Sequence, residues 1–136
     1  MPLDATDAST PVAELKAAIR RFVEERDWDQ FHSPKDLAIG LSIEAAELLE
    51  HFRFRDNDEI AAALQDDDFR RNVGHELADC LYFVLLLATN LGLDATAILR
   101  DKLEISGRKY PVEQARGSNR KYTHYDTANP DPHTRD

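Results

Sequence analysis

The sequence predicts an all-α protein, and three observations support that fold class. Apolar residues recur at helical spacing in four segments of the 136-residue chain. Two of these segments start with a hydroxyl residue followed by proline, a pair that is typical of the first turn of a helix. No segment shows the apolar–polar alternation of a half-buried strand. Four helices with short connections are the simplest architecture for this pattern, so we predict a four-helix-bundle type of fold.

The first two predicted helices flank an aromatic connector. The first helix begins after Thr10, its expected N-cap, and ends near residues 26–27. The connector comprises residues 28–32. The second helix begins at Ser33, again with proline in the next position, and continues to Phe52. Because it is apolar on more than one face, we expect it to be buried on more than one side.

A charged segment with a short helical stretch at residues 59–64 leads to the third long helix. This helix spans about residues 68–91, and Gly92 supplies its stop. Its second half, residues 80–88, is apolar around the whole circumference. Because one small bundle has little room to bury such a segment, we predict a subunit interface there. Asp94 is the expected cap of the fourth long helix.

These elements predict one helical domain with polar ends. The domain comprises residues 11–112, and residues 1–10 form a flexible N-terminus. Residues 113–136 form a polar tail, because no aliphatic residue larger than alanine follows Val112. We expect the tail to be disordered from Asn129 onwards.

Composition and charge exclude several classes of protein. Acidic residues outnumber basic residues by 26 to 17, a formal net charge of −9, which argues against binding of nucleic-acid polymers. The lone cysteine, Cys80, excludes an intramolecular disulfide and a multi-cysteine zinc site. The chain shows no leader of basic and apolar residues, and no apolar run near the roughly 20 residues of a membrane span. We therefore expect a cytoplasmic protein without a membrane partner.

Two acidic pairs lie within the two most apolar helices. They are Glu44 and Glu47 in the second helix, and Glu76 and Asp79 in the third. A spacing of three places both members of a pair on one side of the helix. Chance alone gives about five such pairs in a chain this acidic, so the spacing proves nothing by itself. The apolar surroundings distinguish these two pairs, because acids are rarely buried without a partner or a metal.

Four carboxylates that converge between antiparallel helices would repel one another. At an effective dielectric constant near 20, each like-charge contact at about 5 Å costs roughly 3 kcal/mol. A divalent cation relieves this repulsion, and carboxylates without cysteine or clustered histidine favour Mg²⁺, with Mn²⁺ as the alternative. A di-iron bundle is a rival interpretation, but it needs Glu-x-x-His pairs. None of His32, His51 and His75 follows a glutamate at that spacing.

Taken together, these motifs resemble a known family. The ExxE motif, followed after 28 residues by ExxD, is similar to the metal-binding signature of the all-α nucleoside triphosphate pyrophosphohydrolases, the MazG-like family. Three longer stretches resemble its dCTP pyrophosphatase branch and read RDWDQFHSPKDLAIGLSIEAAELLEHF, HELADCLYF and RKYPVEQARGSNRKYT. The resemblance covers residues 12–123, which is most of the chain.

The resemblance implies a MazG-like fold in a homo-oligomer, usually a tetramer built as a dimer of dimers. It implies Mg²⁺-dependent hydrolysis of a deoxynucleoside triphosphate, with dCTP or a modified pyrimidine nucleotide favoured, and a role in nucleotide pool sanitation. By position, the two acidic pairs are the metal ligands, and Glu47 is our candidate for the residue that activates water. The implied substrate-binding residues are Trp28, His32, Phe54, Phe83, Lys102, Ser106, Lys109 and Tyr110.

Two positions depart from the family pattern, and other interpretations stay open. Ser106 stands where asparagine is usual. Phe54 stands where tryptophan is usual, which keeps a stacking face but loses the indole N–H. Trp28 also suits a lid over helix ends. The basic residues between positions 108 and 121 suit phosphate capture, with a solvated surface as the alternative, above all for residues 116–121. The alternative function is a non-catalytic helical module for nucleotide sensing or oligomerisation. The acids argue against it, because a pure scaffold gains stability when such residues are apolar.

Overall fold

The computed structural model describes residues 5–125, and all regular secondary structure in that range is helical. Its α-helices are α1 (Val12–Glu24), α2 (Pro34–Glu50), α3 (Asn57–Ala63), α4 (Asp67–Asn90), α5 (Ala95–Lys109) and α6 (Val112–Ala115), with 3₁₀ turns at Asp29–Phe31 and Tyr122–His124. The all-α prediction is confirmed. The four long helices correspond to α1, α2, α4 and α5, and the predicted short stretch corresponds to α3.

The described part of the predicted polar tail contains the second 3₁₀ turn and all of α6 except its first residue, Val112. Residues 1–4 of the predicted flexible N-terminus, and the whole of the predicted disordered end from Asn129 onwards, lie outside the described residues. The proposed domain boundaries stay a prediction.

The two proline-marked helix starts differ in their capping. Ser33 is the N-cap of α2, where its hydroxyl accepts a hydrogen bond from the Asp36 amide at 3.3 Å, as predicted. The prediction that Thr10 caps α1 is wrong. Pro11 is itself the N-cap, with an extended backbone (ψ 148°), and its carbonyl accepts the Glu14 amide at 2.9 Å. Thr10 instead donates its amide to the Thr6 carbonyl in the preceding turn.

Helix α4 has well-defined ends. Asp66 caps its start by accepting the Phe69 amide at 2.8 Å, so α4 begins one residue before the predicted position. At its end Gly92 has a positive φ of 67°, and the Leu93 amide reaches the Ala88 carbonyl at 2.8 Å. This is the hydrogen-bond pattern of a glycine-terminated helix, so the predicted stop at Gly92 is confirmed.

The described chain divides into two compact units, one that extends to Ala95 and one that starts at Thr96. In the first unit, α4 packs against both α2 and α1. Its core is a small cluster of fully buried side chains, one from each of these helices, namely Val23, Leu37 and Leu86. The ring of Phe83 packs against this cluster.

The apolar segment of α4 divides between interior and surface. Leu85 and Leu86 are buried, with 4% and 1% exposed. Leu81 and Val84 remain 49% and 42% exposed. The first unit therefore buries only part of the segment that the sequence assigns to a subunit interface, and the interface itself stays a prediction.

No single helix within residues 5–125 has both the length and the hydropathy needed to cross a bilayer, and α4 and α5 meet that test only when taken together. The cytoplasmic location stays a prediction.

Candidate functional site

Three of the four predicted metal ligands meet between α2 and α4. Glu44 and Glu47 come from α2, and Glu76 comes from α4. Each offers a carboxylate oxygen, and these oxygens lie within 4.8 Å of one another. The acidic spacing on α2 aligns two carboxylates, and the packing of α2 on α4 brings the third to them. We call these three residues the carboxylate cluster.

Asp79, the fourth predicted ligand, lies next to the cluster. The pKa of Glu44 is raised from its ordinary value of 4.5, firstly by burial and then by the negative charges of Glu47, Asp79 and Glu76. Burial and neighbouring anions both disfavour the ionised form, so both act in the same direction. Asp79 therefore adds its charge to the cluster, although it is not among the residues whose oxygens meet within 4.8 Å.

The carboxylate cluster forms no ion pair with a lysine or arginine among residues 5–125. The lysines and arginines that form ion pairs there bind acids outside the cluster, as Arg53 binds Glu50 and Arg71 binds Asp68. The one contact to the cluster comes from His51, whose Nε2 lies 3.8 Å from Oε1 of Glu76. Without a positive partner, ionised carboxylates whose oxygens lie within 4.8 Å of one another repel each other by on the order of several kcal/mol.

The donor set fits a divalent cation. Carboxylate oxygens are hard ligands of the kind that Mg²⁺ and Mn²⁺ take, and a bound cation would offset the charge repulsion that, after burial, raises the pKa of Glu44. Glu44 and Glu76 are partly buried, whereas Glu47 is exposed. The cluster thus combines two sheltered ligands with one that solvent reaches.

An aromatic pocket of about 520 Å³ adjoins these acids. Glu44 and Asp79 form part of its wall. The rest of its lining is apolar or aromatic and comprises Ala18, Ile19, Phe22, Trp28, His32, Tyr82 and Phe83. A pocket with an aromatic lining and an acidic edge suits a ligand that carries a flat ring at one end and a metal-bound anion at the other.

The end of α1 positions Trp28. Asp27 adopts a left-handed conformation (φ 52°), and the Trp28 amide donates to the Val23 carbonyl at 3.1 Å. The indole then packs edge-on against Phe22, with ring centroids 5.8 Å apart. These contacts present Trp28, which is 41% exposed, at the pocket wall.

His32 is held by the far end of α4. The side-chain amide of Asn90 donates to the His32 carbonyl at 3.2 Å, and the imidazole packs edge-on against Trp28 at 6.4 Å. Its Nδ1 is buried and has no hydrogen-bond partner in the described part of the chain. One of the residues that line the pocket therefore has a buried polar atom whose hydrogen-bonding capacity is unused.

The remaining predicted substrate-binding residues are Phe54 and four residues of the second unit. Phe54 follows α2 in a turn, is 85% exposed and lies under the Arg53 guanidinium at 4.3 Å, outside the aromatic pocket. Four more belong to the second unit, namely Lys102, Ser106, Lys109 and Tyr110. Within that unit Lys109 lies 5.3 Å from the ring of Tyr122, against which Tyr110 packs edge-on at 5.7 Å.

The structure adds residues that sequence reasoning did not assign to the site. Ile19 and Phe22 lie on the apolar face of α1 and both line the pocket, although Ile19 also packs against the core cluster. Tyr82 lies within the apolar run of α4 and packs edge-on against Phe83 at 5.2 Å. Burial raises its pKa, an effect that the nearby charge of Arg26 partly opposes. The sequence analysis did not single out this position, and its only distinguishing feature there is a tyrosine within an otherwise apolar run.

Comparison with known proteins identifies similar chains. Residues 39–124 match the family model described as the MazG-like family. Among curated proteins, dCTP pyrophosphatase 1 of Homo sapiens is 36% identical over 110 residues, which cover 81% of this chain and 65% of the relative. The same protein of Bos taurus is 33% identical over 117 residues, which cover 85% and 69%. The chain thus spans about two thirds of the length of these relatives.

A solved structure agrees with the sequence matches. The crystal structure of a pyrophosphatase from Archaeoglobus fulgidus DSM 4304 superposes with a TM-score of 0.68 at 37% sequence identity, and the match covers 73% of this chain and 91% of that one. The family match includes the whole of α4 and residues 39–50 of α2, and therefore the carboxylate cluster. Because it spans more than half of the chain, the protein belongs to the MazG-like family.

Proposed function

We propose that this protein is a Mg²⁺-dependent nucleoside triphosphate pyrophosphohydrolase that converts a deoxynucleoside triphosphate to the monophosphate and pyrophosphate. The observation that carries the proposal is the placement of the carboxylate cluster beside an aromatic pocket, with Glu44 common to both. A nucleotide has the matching arrangement, since its flat base is joined through a sugar to a metal-binding triphosphate. The names of its curated relatives support dCTP as the substrate.

The cation site is the part of the proposal that the chemistry of the chain supports most directly. Glu44, Glu47 and Glu76 would hold Mg²⁺, with Mn²⁺ as a substitute, and Asp79 would complete the set. When bound, the cation supplies positive charge to the phosphate oxygens and lowers the pKa of an attacking water. An acidic chain then binds an anionic substrate without a basic face of its own.

Glu47 is our candidate for the group that accepts a proton from water. It is the exposed member of the cluster, so water reaches its carboxylate, and the other two members are more sheltered. A carboxylate within hydrogen-bond reach of water orients it and takes its proton as the oxygen attacks the α-phosphorus. Pyrophosphate leaves from the opposite side. Reaction in ¹⁸O-labelled water checks this route, because label in pyrophosphate rather than in the monophosphate would contradict attack at the α position.

The aromatic pocket is the proposed base site. Its support is the lining, in which Trp28, Phe83 and His32 provide aromatic surface for a base. For the four predicted residues of the second unit and for Phe54, contact with the nucleotide stays part of the proposal, since the resemblance alone supports it.

A panel of nucleotides tests the function. The purified protein is incubated with each deoxynucleoside triphosphate and with 5-substituted pyrimidine analogues in the presence of Mg²⁺, and the products are separated. We expect a monophosphate and pyrophosphate, with dCTP or a modified pyrimidine nucleotide cleaved fastest, and no products in EDTA. Release of inorganic phosphate alone would contradict the proposed bond cleavage.

A non-catalytic nucleotide sensor is the second candidate, because the pocket and cluster would also retain a nucleotide without turnover. Nucleotide binding by calorimetry together with no product from any member of the panel would favour the sensor. Only the enzymatic function, and not the sensor, would give the protein a role in nucleotide pool sanitation.

We also propose a homo-oligomer, with a tetramer built as a dimer of dimers as the expected state. Its support is the exposed apolar surface of α2 and α4, where Ile39, Ile43 and Leu81 are each about half exposed. Light scattering after size exclusion measures the mass. Leu81→Gln should lower it, whereas Val12→Gln, at an exposed position that begins α1, is the control.

A further inference from the structure

A histidine beside the carboxylate cluster has no role in the proposed chemistry. His51 is the C-cap of α2, and its Nε2 lies 3.8 Å from Oε1 of Glu76 on α4. The two side chains are largely sheltered, with 24% and 20% exposed. His51 follows Glu47 by four residues, so the imidazole and the acidic pair of α2 lie on the same face of that helix.

Two phenylalanines set the orientation of the His51 ring. Phe69 meets it edge-on at 5.6 Å and 90°, and Phe52 meets it at 6.5 Å and 66°. The two phenylalanine rings also pack against each other at 6.4 Å. Phe69 precedes Glu76 by seven residues on α4, so both lie on one face of that helix. The aromatic packing thus holds the imidazole with one nitrogen facing Glu76.

The contact is the only one from a basic side chain to the carboxylate cluster among the ion pairs of residues 5–125. Its length is about 1 Å greater than that of an ordinary N–H···O hydrogen bond, so a hydrogen bond between the two groups requires the Glu76 carboxylate to move towards the ring. A carboxylate that ligates a metal is normally held by a hydrogen bond from a second residue, and loss of that residue commonly weakens metal binding by about 10- to 100-fold.

We propose that His51 is a positioning residue for the divalent cation site, whose Nε2–H holds the Glu76 carboxylate in its ligating orientation. The inference rests on the proposed metal-dependent function, because it concerns the same cluster. His51 is not itself a ligand in this proposal, and the cluster whose oxygens meet within 4.8 Å does not include it.

Two substitutions separate this role from simple packing. His51→Phe keeps an aromatic ring between Phe52 and Phe69 but removes the donor. His51→Gln loses the ring but keeps an N–H at a similar distance from the backbone. The readout is Mn²⁺ binding without nucleotide at a fixed pH of about 8, followed by the electron paramagnetic resonance signal of the free ion. Circular dichroism establishes that each variant is folded.

We expect His51→Phe to weaken Mn²⁺ binding by about tenfold or more, and His51→Gln to retain most of it. Mn²⁺ affinity of His51→Phe within about twofold of wild type would overturn the inference, as would an equal loss in both variants. In a Glu76→Gln background, His51→Phe should have no further effect, because the residue acts through that carboxylate.

The same measurements distinguish failure of the inference from failure of the proposed function. Wild-type protein that binds Mn²⁺ and responds to His51→Phe, but hydrolyses no nucleotide, would support the inference and contradict the enzyme. Hydrolysis that persists in wild type while His51→Phe leaves Mn²⁺ affinity unchanged would contradict the inference alone.

Discussion

Gly40 of α2 lies directly against the ring of Phe83 of α4. A Cβ atom at position 40 would fall 2.5 Å from Cζ of that ring, well inside van der Waals contact. The two helices that carry the carboxylate cluster can therefore pack this closely only because glycine has no Cβ at position 40. Phe83 also lines the aromatic pocket, so the same contact sets both the helix spacing and the pocket wall.

Gly40→Ala should therefore lower the free energy of unfolding. Displacement of the Phe83 ring costs about 1–3 kcal/mol, which exceeds the gain in helix propensity of up to about 1 kcal/mol. Gly74→Ala is the matched control, since a Cβ there meets nothing within 4 Å, and it should stabilise the protein by about 0.5–1 kcal/mol. Urea unfolding measures both variants, and an equal gain in stability from both would contradict the close contact.

Glu47→Gln should remove most of the hydrolytic activity without unfolding the protein. The change deletes a charge from the carboxylate cluster and the proposed proton acceptor, so kcat should fall by about 10²-fold or more. Glu50→Gln is the control one turn further along α2. Glu50 pairs with Arg53 rather than with the cluster, so its loss should change kcat by no more than about twofold. Steady-state kinetics with saturating Mg²⁺ measures both. Wild-type turnover in Glu47→Gln would exclude this residue from the reaction.

The raised pKa of Glu44 gives the metal-free protein a specific pH dependence. A carboxyl whose pKa is higher in the folded state than in the unfolded state binds its proton more tightly when folded. Its contribution to stability is present below the ordinary pKa of 4.5 and is lost as the pH rises through the raised folded value.

In EDTA, the unfolding free energy of wild type minus that of Glu44→Gln should therefore fall as the pH rises from below 4.5 to neutrality. The difference isolates Glu44 from the other titrating groups. At neutral pH Mg²⁺ should raise the stability of wild type more than that of Glu44→Gln, because the cation binds only the folded site. A difference that does not change with pH would show that the cluster does not perturb Glu44.

Trp28→Ala should raise the KM for the preferred nucleotide with little change in kcat. An aromatic surface that stacks on a base contributes about 1–3 kcal/mol, so its loss should raise KM by about tenfold. Trp28→Phe should retain most of the affinity. Phe31→Ala tests whether the connector as a whole matters, since Phe31 is 63% exposed and does not line the pocket. An equal effect of Phe31→Ala and Trp28→Ala would argue for a general role of the connector rather than for base stacking.

Local signals in the sequence located the helices because each signal acts within one or two turns. Ser33 with its following proline, and Gly92 after the last apolar turn, mark helix ends that the structure confirms. The Thr10 signal failed because Pro11 takes the extended conformation of an N-cap, which moves the helix start by one residue. Sequence spacing does not resolve a shift of that size, since either residue satisfies the local pattern.

The division of apolar residues between core and pocket was not available from the sequence. Ile19 and Val23 lie one turn apart on α1, and Val23 is fully buried, whereas Ile19 packs against the core and also lines the pocket. Helical periodicity reports which face of a helix is apolar, but not which part of that face a neighbouring helix covers. Packing of α1 on α4 decides this, and it also exposes Phe22 to the pocket.

The sequence by itself determined the all-α class and the alignment of Glu44 with Glu47, because a spacing of three places both carboxylates on one face of any α-helix. Only the tertiary structure decided that Glu76 joins them within 4.8 Å and that His51 faces Glu76. Those relationships join α2 to α4 across about 30 residues of chain. They depend on the distance between the helices, which the contact of Gly40 with Phe83 sets and no local pattern specifies.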